Sequence, residues 1–268
     1  MTPPDDPCGD GVLADYRDLT DIAARRRIEG DEFFICEGPQ ALDRLIASGH
    51  RLRSVVLLDT KADRILDDLT DPVPSGTPIV RVDREQMRAI VGFDQHRGVI
   101  AAADRRPIPT PDEQRAVVAA ARRIAVLEGL NDPENLGAIA RSARALGVDA
   151  LICDPTCIDH YTRRTVRVSM GEILHLPVIR TTGPDHLAEL LAGWDTWALT
   201  PDPTATDIWT LPVPERLAVI LGAEGPGLDT DTIAGATRSV RIPIAGDVDS
   251  LNVGNAAAVA FAIVDRSG

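Results

Sequence analysis

The stretch Leu217-Ala-Val-Ile-Leu-Gly-Ala-Glu-Gly-Pro-Gly-Leu228 joins a short apolar run to a glycine-rich loop. Such a run, followed at once by turn residues, is typical of a strand buried on both faces of a parallel sheet. The glycines at 222, 225 and 227 permit positive φ and close backbone approach, so main-chain groups could surround a ligand here. Their spacing matches neither the dinucleotide-binding Gly-x-Gly-x-x-Gly nor a P-loop. The stretch therefore predicts an α/β domain whose glycine loop, with Glu224, is either a structural turn or a ligand site.

Strand-like and helical patterns alternate on both sides of a proline-rich connector. Three prolines fall between Asp104 and Asp112, where no apolar period continues. We therefore predict a smaller α/β domain over residues 13–103, a linker over 104–120, and an α/β domain with a mostly parallel sheet over 121–268. The predicted strands are 33–36, 52–58, 78–82, 98–103, 123–127, 150–153, 176–179, 197–200, 217–221 and 240–242. The predicted helices are 39–48, 61–69, 83–90, 134–146, 162–170, 185–191 and 253–264.

The composition limits the classes of protein to which this chain can belong. Of its 268 residues 44% are hydrophobic, and 28 basic against 41 acidic side chains give a formal net charge of −13. This acidity disfavours a protein that binds polyanions without specificity. The longest apolar run, 256–264, is far shorter than the ~18 residues of a membrane span, so we expect a soluble cytoplasmic protein. The four cysteines and five histidines show no zinc spacing, and we expect no metal site.

A second segment, Leu130-Asn-Asp-Pro-Glu-Asn-Leu-Gly-Ala-Ile-Ala-Arg141, directly follows a predicted strand. Asp132 and Pro133 suit the N-cap and the first residue of a helix. Asn135 falls near the strand-to-helix junction, where parallel sheets place ligand sites. Arg141 points away from the apolar stripe of this helix, and it is either a solvated or a functional side chain.

A third segment, Arg241-Ile-Pro-Ile-Ala-Gly-Asp-Val-Asp-Ser-Leu-Asn-Val-Gly-Asn-Ala256, leads into an alanine-rich helix. Pro243 marks the end or the edge of a strand because proline cannot donate to the ladder. Ser250 and Asn252 precede the helix, and either suits a plain N-cap. Taken alone, the segment is explained by ordinary helix capping.

Together and in this order, the three segments resemble the motifs of the SpoU (TrmH) family of RNA ribose 2′-O-methyltransferases, of the SPOUT superfamily. The matching residues are Asn135-Leu-Gly-Ala-Ile-Ala-Arg141, Gly222-Ala-Glu-Gly-Pro-Gly227, Ile242-Pro243 and Ser250-Leu-Asn-Val253. The first half resembles the ribosomal-protein-like substrate-binding domain often found upstream, through Glu32-Phe-Phe-Ile-Cys-Glu-Gly-Pro-Gln40 and His96-Arg-Gly-Val-Ile100. The resemblance implies an α/β domain with a parallel sheet and a deep trefoil knot, which base rates alone would exclude.

The resemblance also implies a cofactor, S-adenosylmethionine, held in the knot mostly by backbone groups. The positions that carry over for cofactor binding are Thr200, Leu221, Gly222, Ile242 and Leu251. Those that carry over for catalysis are Arg141, Asn135, Glu224, Ser250 and Asn252. The family works as a homodimer through this domain, in which Arg141 of one chain would face the cofactor of the other. An arginine side chain stays protonated at any pH at which enzymes work. Arg141 is therefore expected to orient phosphate and hydroxyl groups and not to accept the proton.

The expected substrate is structured RNA, with ribosomal RNA favoured over transfer RNA. Arg163, Arg164 and Arg167 share one face of a predicted helix and are candidates for RNA contacts, although such a charge cluster is often just a solvated face. The alternative function is a non-catalytic RNA-binding or cofactor-sensing protein on the same fold. The intact set of polar motif residues favours the enzyme.

Overall fold

In a computed structural model, residues 11–246 and 248–265 are described, apart from the side chains of Ile22, Ala23 and Arg26. The chain divides into two compact units. One extends to Pro107 and also takes Tyr161–Leu174 from further along the chain. The other comprises Ile108–His160 and the chain from His175 onward.

Ten α-helices, three short 3-10 helices and eleven strands are formed by the described residues. The helices are α1 (Ile22–Glu29), α2 (Pro39–Ala47), α3 (Asp59–Asp67), α4 (Arg84–Val91), α5 (Pro111–Ala120), α6 (Pro133–Ala145), α7 (Arg163–Val168), α8 (Pro184–Leu190), α9 (Thr230–Gly235) and α10 (Val253–Asp265). The strands are β1 (Phe33–Glu37), β2 (Leu52–Leu58), β3 (Ile79–Val82), β4 (Val99–Asp104), β5 (Arg123–Glu128), β6 (Ala150–Cys153), β7 (Val178–Arg180), β8 (Asp195–Leu199), β9 (Thr206–Asp207), β10 (Leu217–Gly222) and β11 (Arg238–Arg241).

The first unit is built on a four-stranded mixed sheet in the order β1-β4-β2-β3. Strand β4 is antiparallel to both neighbours, and β2 and β3 are parallel. Every residue of β1 is buried, which explains its uninterrupted run of apolar side chains before Glu37. Helix α4 begins with a capping box in which the Asp83 carboxylate accepts the Gln86 N–H at 2.8 Å.

The second unit is built on a seven-stranded sheet in the order β7-β6-β5-β10-β8-β11-β9, and every pair is parallel. The central strand β10 is almost wholly buried, as its apolar sequence predicts. Helix α10 packs against α6, and Gly254 brings the two close together. A Cβ on Gly254 would lie only 3.2 Å from the Cβ of Ala138, so a larger residue would push the helices apart. The predicted α/β class and the parallel sheet are confirmed.

The structure departs from the predicted domain division at two places. The predicted linker 104–120 contains helix α5, which has proline as its first residue and a capping box between Thr110 and Glu113. Residues Tyr161–Leu174, predicted as part of the second domain, pack in the first unit. The ring of Tyr161 stacks on Phe34 with centroids 4.7 Å apart, and these long-range contacts give no local signal in the sequence.

Candidate active site

Three loops of the second unit line one cavity of about 400 Å³ at the carboxyl ends of its strands. The first loop follows β8, the second follows β10, and the third connects β11 to α10. Ligand sites of open parallel sheets lie at this edge. All five residues predicted for cofactor binding line the cavity, namely Thr200, Leu221, Gly222, Ile242 and Leu251. Their role in binding stays a prediction, but the structure brings all of them to one place.

Several other residues line the cavity, and the sequence assigns them no role in it: Leu199, Pro201, Ala223, Ile244, Val253 and Ala256. Leu199 and Pro201 flank Thr200 at the end of β8. The rule that sites follow the carboxyl ends of parallel strands could have found them. The lining that results is largely apolar and includes the glycine loop.

The glycine loop folds back over its own first residue. A Cβ on Gly222 would lie 2.4 Å from the carbonyl carbon of Gly227 and 2.5 Å from the Leu228 nitrogen. The Gly227 N–H donates to the Ala223 carbonyl at 3.0 Å and closes the loop. Gly225 and Gly227 have φ of 88° and 74°, which L side chains rarely adopt. The turn therefore requires glycine at 222 for close backbone approach and at 225 and 227 for their positive φ.

A polar cluster stands beside this loop. The Asn252 side-chain amide donates to the Asn135 amide oxygen at 2.9 Å and to a carboxylate oxygen of Glu224 at 2.5 Å. Its own oxygen accepts the Asn255 N–H at 3.2 Å, so Asn252, and not Ser250, is the N-cap of α10. This cap fixes which end of the amide faces the other two side chains. Ser250 lines the cavity without joining these hydrogen bonds.

Asn135 and Arg141 both lie on α6, and neither lines the cavity. Asn135 is buried and reaches the site through Asn252. Arg141 lies six residues further along, about 240° around the helix, and is exposed. Among the described residues, no carboxylate forms an ion pair with it. The cavity of a single chain therefore gathers four of the five predicted catalytic residues directly or through one hydrogen bond, and Arg141 is not among them.

The start of α6 is held by the turn after β6. The Asp154 carboxylate accepts N–H groups from Gly129 at 3.1 Å and Cys157 at 2.8 Å. Burial alone would raise the pKa of Asp154, but the hydrogen bonds from Cys157, Thr156 and Gly129 outweigh it and hold the pKa below its usual range. The Leu130 N–H donates to the Cys157 sulfur. A hydrogen bond with Cys153 and burial raise the pKa of the Cys157 thiol, so this thiol is structural and not reactive.

The profile of the SpoU rRNA Methylase family matches residues 122–262, more than half of the chain. The chain belongs to the SpoU rRNA methylase family. An uncharacterized tRNA/rRNA methyltransferase of Mycobacterium tuberculosis is 41% identical to it over 272 residues, which cover 99% of this chain and 91% of the relative. The 23S rRNA (guanosine-2′-O-)-methyltransferase RlmB of Ralstonia nicotianae is 31% identical over 198 residues, covering 73% of this chain and 80% of that protein.

Solved structures share the fold of this SpoU family member over nearly its whole length. The AdoMet-bound rRNA methyltransferase from Sinorhizobium meliloti has a TM-score of 0.77 at 24% identity and covers 96% of this chain and 95% of its own. The SpoU methyltransferase AviRb from Streptomyces viridochromogenes, in complex with AdoMet, has a TM-score of 0.76 at 21% identity and covers 95% and 97%. The predicted family is confirmed.

The three arginines predicted to contact RNA all lie on α7, in the first unit. The Arg163 guanidinium pairs with buried Glu37 at 2.7 Å and lies 4.8 Å from the centre of the Phe93 ring. Burial lowers the pKa of Arg163, and Glu37 partly offsets that effect. Arg167 lies 3.9 Å from the same carboxylate, whereas Arg164 is exposed. In this SpoU family member the three side chains thus have different environments. Arg163 makes the closest contacts with other residues of the protein.

In the described part of the chain, no group of three or more His, Cys, Asp or Glu residues could hold a metal ion. Over the same residues, no helix is long and apolar enough to cross a membrane.

Proposed function

We propose that this protein transfers the methyl group of S-adenosylmethionine to the ribose 2′-hydroxyl of a nucleotide in structured RNA, with ribosomal RNA favoured. The observation that carries the proposal is the Asn135–Asn252–Glu224 cluster beside a cavity lined by every predicted cofactor contact. Membership of a methylase family supports it, as do relatives named as rRNA 2′-O-methyltransferases.

The residues of the cavity fit this cofactor. A volume of about 400 Å³ lies in the usual range for small-molecule sites. Leu199, Leu221, Ile242 and Leu251 offer apolar contacts for a nucleoside and its methionyl arm. Gly222 lets the loop that lines the cavity fold back on its own backbone, because a Cβ there would meet atoms of Gly227 and Leu228 at 2.4–2.6 Å. The cofactor, when bound, supplies an electrophilic methyl group on a positively charged sulfur, and the Glu224 carboxylate favours a positive charge nearby.

The side chains of the cluster orient the reacting hydroxyl. A ribose hydroxyl is a weak nucleophile, so the site must align it with the methyl group and exclude water. Asn252 fixes the Glu224 carboxylate through one amide hydrogen and ties it to α6 through Asn135. Ser250, on the cavity wall, has a hydroxyl that can donate to the substrate or accept from it. Together these groups hold one geometry before the substrate arrives.

We further propose that the segment between β11 and α10 passes through a deep trefoil knot and that the active enzyme is a homodimer through the second unit. Membership of the SpoU rRNA methylase family supports the knot. Arg141 is exposed and lies outside the cavity of its own chain, which supports a site that the partner chain completes. There the Arg141 guanidinium would hold a phosphate beside the target ribose with its forked donors.

Mapping of ribose methylation tests the function. RNA from cells that lack this protein should miss a 2′-O-methyl group that is present in the parent, as seen by mass spectrometry of total RNA digests. The purified protein and S-adenosylmethionine should restore the same methyl group to that RNA. A methyl group restored on a base nitrogen or carbon would contradict the proposed reaction, and complete modification in the cells that lack the protein would contradict the proposed enzyme.

The arginines on α7 lead to a prediction about RNA affinity. Arg164→Glu and Arg167→Gln are each expected to weaken RNA binding and to reduce the salt dependence of log K by about 1, since each removes a phosphate contact. Glutamate is avoided at Arg163 and Arg167, because both guanidinium groups lie near the Glu37 carboxylate, at 2.7 and 3.9 Å, and a second carboxylate there would be repelled. Filter binding over a series of salt concentrations gives the slope.

The control for this prediction is Arg64→Glu, which makes the same change in net charge as Arg164→Glu but on α3, where Arg64 is 87% exposed. It should leave the slope unchanged. Slopes equal to the wild type for both α7 variants would remove these residues from the RNA-binding surface.

A further inference from the structure

Glu128, the last residue of β5, contacts the far end of the glycine loop. Its carboxylate accepts the backbone N–H of Asp229 at 2.6 Å and the hydroxyl of Thr232 at 2.5 Å. These two residues stand where the chain leaves the loop and forms α9. Glu128 does not line the cavity, and neither the sequence motifs nor the cavity wall would single it out.

The same residue also lies beside the start of the loop. In the parallel ladder between β5 and β10, Glu128 is the partner of Gly222. One residue therefore neighbours the loop where it begins and binds it where it ends. Between those two points the loop carries Glu224 into the polar cluster with Asn252.

Apart from the hydrogen bond between Glu224 and Asn252, the loop has few other polar restraints. Three of its residues are glycines, which lose the most conformational freedom when they are ordered. The hydrogen bond from Gly227 to Ala223 closes the turn internally but does not attach it to the sheet. A carboxylate that accepts two hydrogen bonds at the exit is therefore the main polar attachment of the loop to β5.

We propose that Glu128 is a positioning residue that holds the glycine loop in the shape that binds the cofactor. The proposal rests on the proposed function, because it assigns S-adenosylmethionine to this loop. Glu128 acts through the backbone of Asp229 and the side chain of Thr232 and does not touch the ligand. A loop ordered in advance binds more tightly because less freedom is lost on binding.

Three variants separate the hydrogen bonds from the negative charge. Glu128→Ala removes both bonds and is expected to weaken S-adenosylmethionine binding about tenfold. Glu128→Gln keeps both, since the amide oxygen accepts from Asp229 and its N–H₂ donates to the Thr232 hydroxyl, and its affinity should stay within about twofold of the wild type. Thr232→Val removes one bond and should fall between them.

The ligand-free protein gives a second measurement, by amide hydrogen exchange. Exchange at Gly227 and Asp229 should be about tenfold faster in Glu128→Ala than in the wild type, and unchanged in Glu128→Gln. The matched control is Asp83→Ala, which also removes a carboxylate from a backbone N–H, but in the first unit. It should alter neither the exchange of the loop nor the cofactor affinity, even if it lowers the melting temperature.

The two measurements decide the proposal independently of the proposed function. Unchanged exchange in Glu128→Ala would overturn it, and so would faster exchange with unchanged cofactor affinity. Equal weakening of affinity in Asp83→Ala would show a general stability effect and would also overturn it. A wild-type protein that does not bind S-adenosylmethionine would contradict the proposed function, whereas the exchange data would still decide whether Glu128 holds the loop.

Discussion

Arg141→Ala is expected to slow methyl transfer by about a thousandfold while leaving S-adenosylmethionine affinity within about threefold of the wild type. The reason is the position of the residue. Arg141 is exposed on α6 and lies outside the cavity of its own chain, so its loss removes no wall of the cofactor site. The proposed role, holding a phosphate beside the reacting ribose, matters only when RNA is bound. Single-turnover transfer of a radiolabelled methyl group and calorimetric titration with the cofactor measure the two quantities separately.

A conservative variant distinguishes charge from geometry. Arg141→Lys keeps the positive charge but loses the planar fork that binds a phosphate through two parallel hydrogen bonds. It should recover only a small part of the lost rate. A rate in Arg141→Ala within tenfold of the wild type would show that the residue is a solvated side chain and would remove it from the site.

Mixed dimers test whether Arg141 acts on the partner's cavity. An Arg141→Ala chain keeps Asn252, and an Asn252→Ala chain keeps Arg141, so their heterodimer contains one complete site if the arginine crosses the interface. Random exchange of equal amounts should restore about a quarter of wild-type activity, because half of the dimers are mixed and each of these has one working site of two. If Arg141 serves its own chain, every site in the mixture lacks one residue and no activity returns.

Much of the fold could be predicted because apolar periodicity is a local property. The segment 123–127 is predicted as a strand and forms β5 (Arg123–Glu128), and 134–146 is predicted as a helix and forms α6 (Pro133–Ala145). The first is a continuous apolar run and the second carries an apolar stripe, and both patterns can be recognised without the rest of the chain. The prolines of residues 104–112 predict a connector, and this conceals helix α5. The Thr110-x-x-Glu113 capping box next to Pro111 is the better signal.

What the sequence could not show are contacts that join distant residues. Nothing local in 161–174 indicates that Arg163 pairs with Glu37, 126 residues earlier, so the segment was assigned to the wrong unit. The same limit applies to the candidate site. The motifs name Asn135, Glu224 and Asn252, but only the fold shows that one amide connects the other two side chains. Glu128 carries no motif at all, and only the fold shows that it is the ladder partner of Gly222 and accepts hydrogen bonds from Asp229 and Thr232.

The second large effect is expected from a single methyl group in the glycine loop. Gly222→Ala should weaken S-adenosylmethionine binding more than a hundredfold and destabilise the fold by about 1–3 kcal/mol. The added Cβ would meet the carbonyl carbon of Gly227 at 2.4 Å, the Leu228 nitrogen at 2.5 Å and the Gly227 oxygen at 2.6 Å. All three are backbone atoms, so no side-chain rotation can relieve the clash. The loop must open, and this moves Glu224 and the cavity wall together.

Alanine variants at two other glycines distinguish the effect of the backbone clash from the effect of replacing a glycine. Gly225→Ala adds a methyl group that meets nothing within 4 Å, but at φ of 88° it strains the backbone, so a cost of about 1 kcal/mol is expected. Gly235→Ala, at the end of α9, meets nothing within 4 Å and has an ordinary φ, so affinity should be unchanged and stability should rise by up to about 1 kcal/mol. Calorimetric titration measures cofactor affinity, and thermal unfolding measures stability. If close approach of the backbone shapes the site, the losses should be largest for Gly222→Ala, smaller for Gly225→Ala and absent for Gly235→Ala. Cofactor affinity in Gly222→Ala equal to that in Gly235→Ala would mean that the cofactor binds elsewhere on the protein.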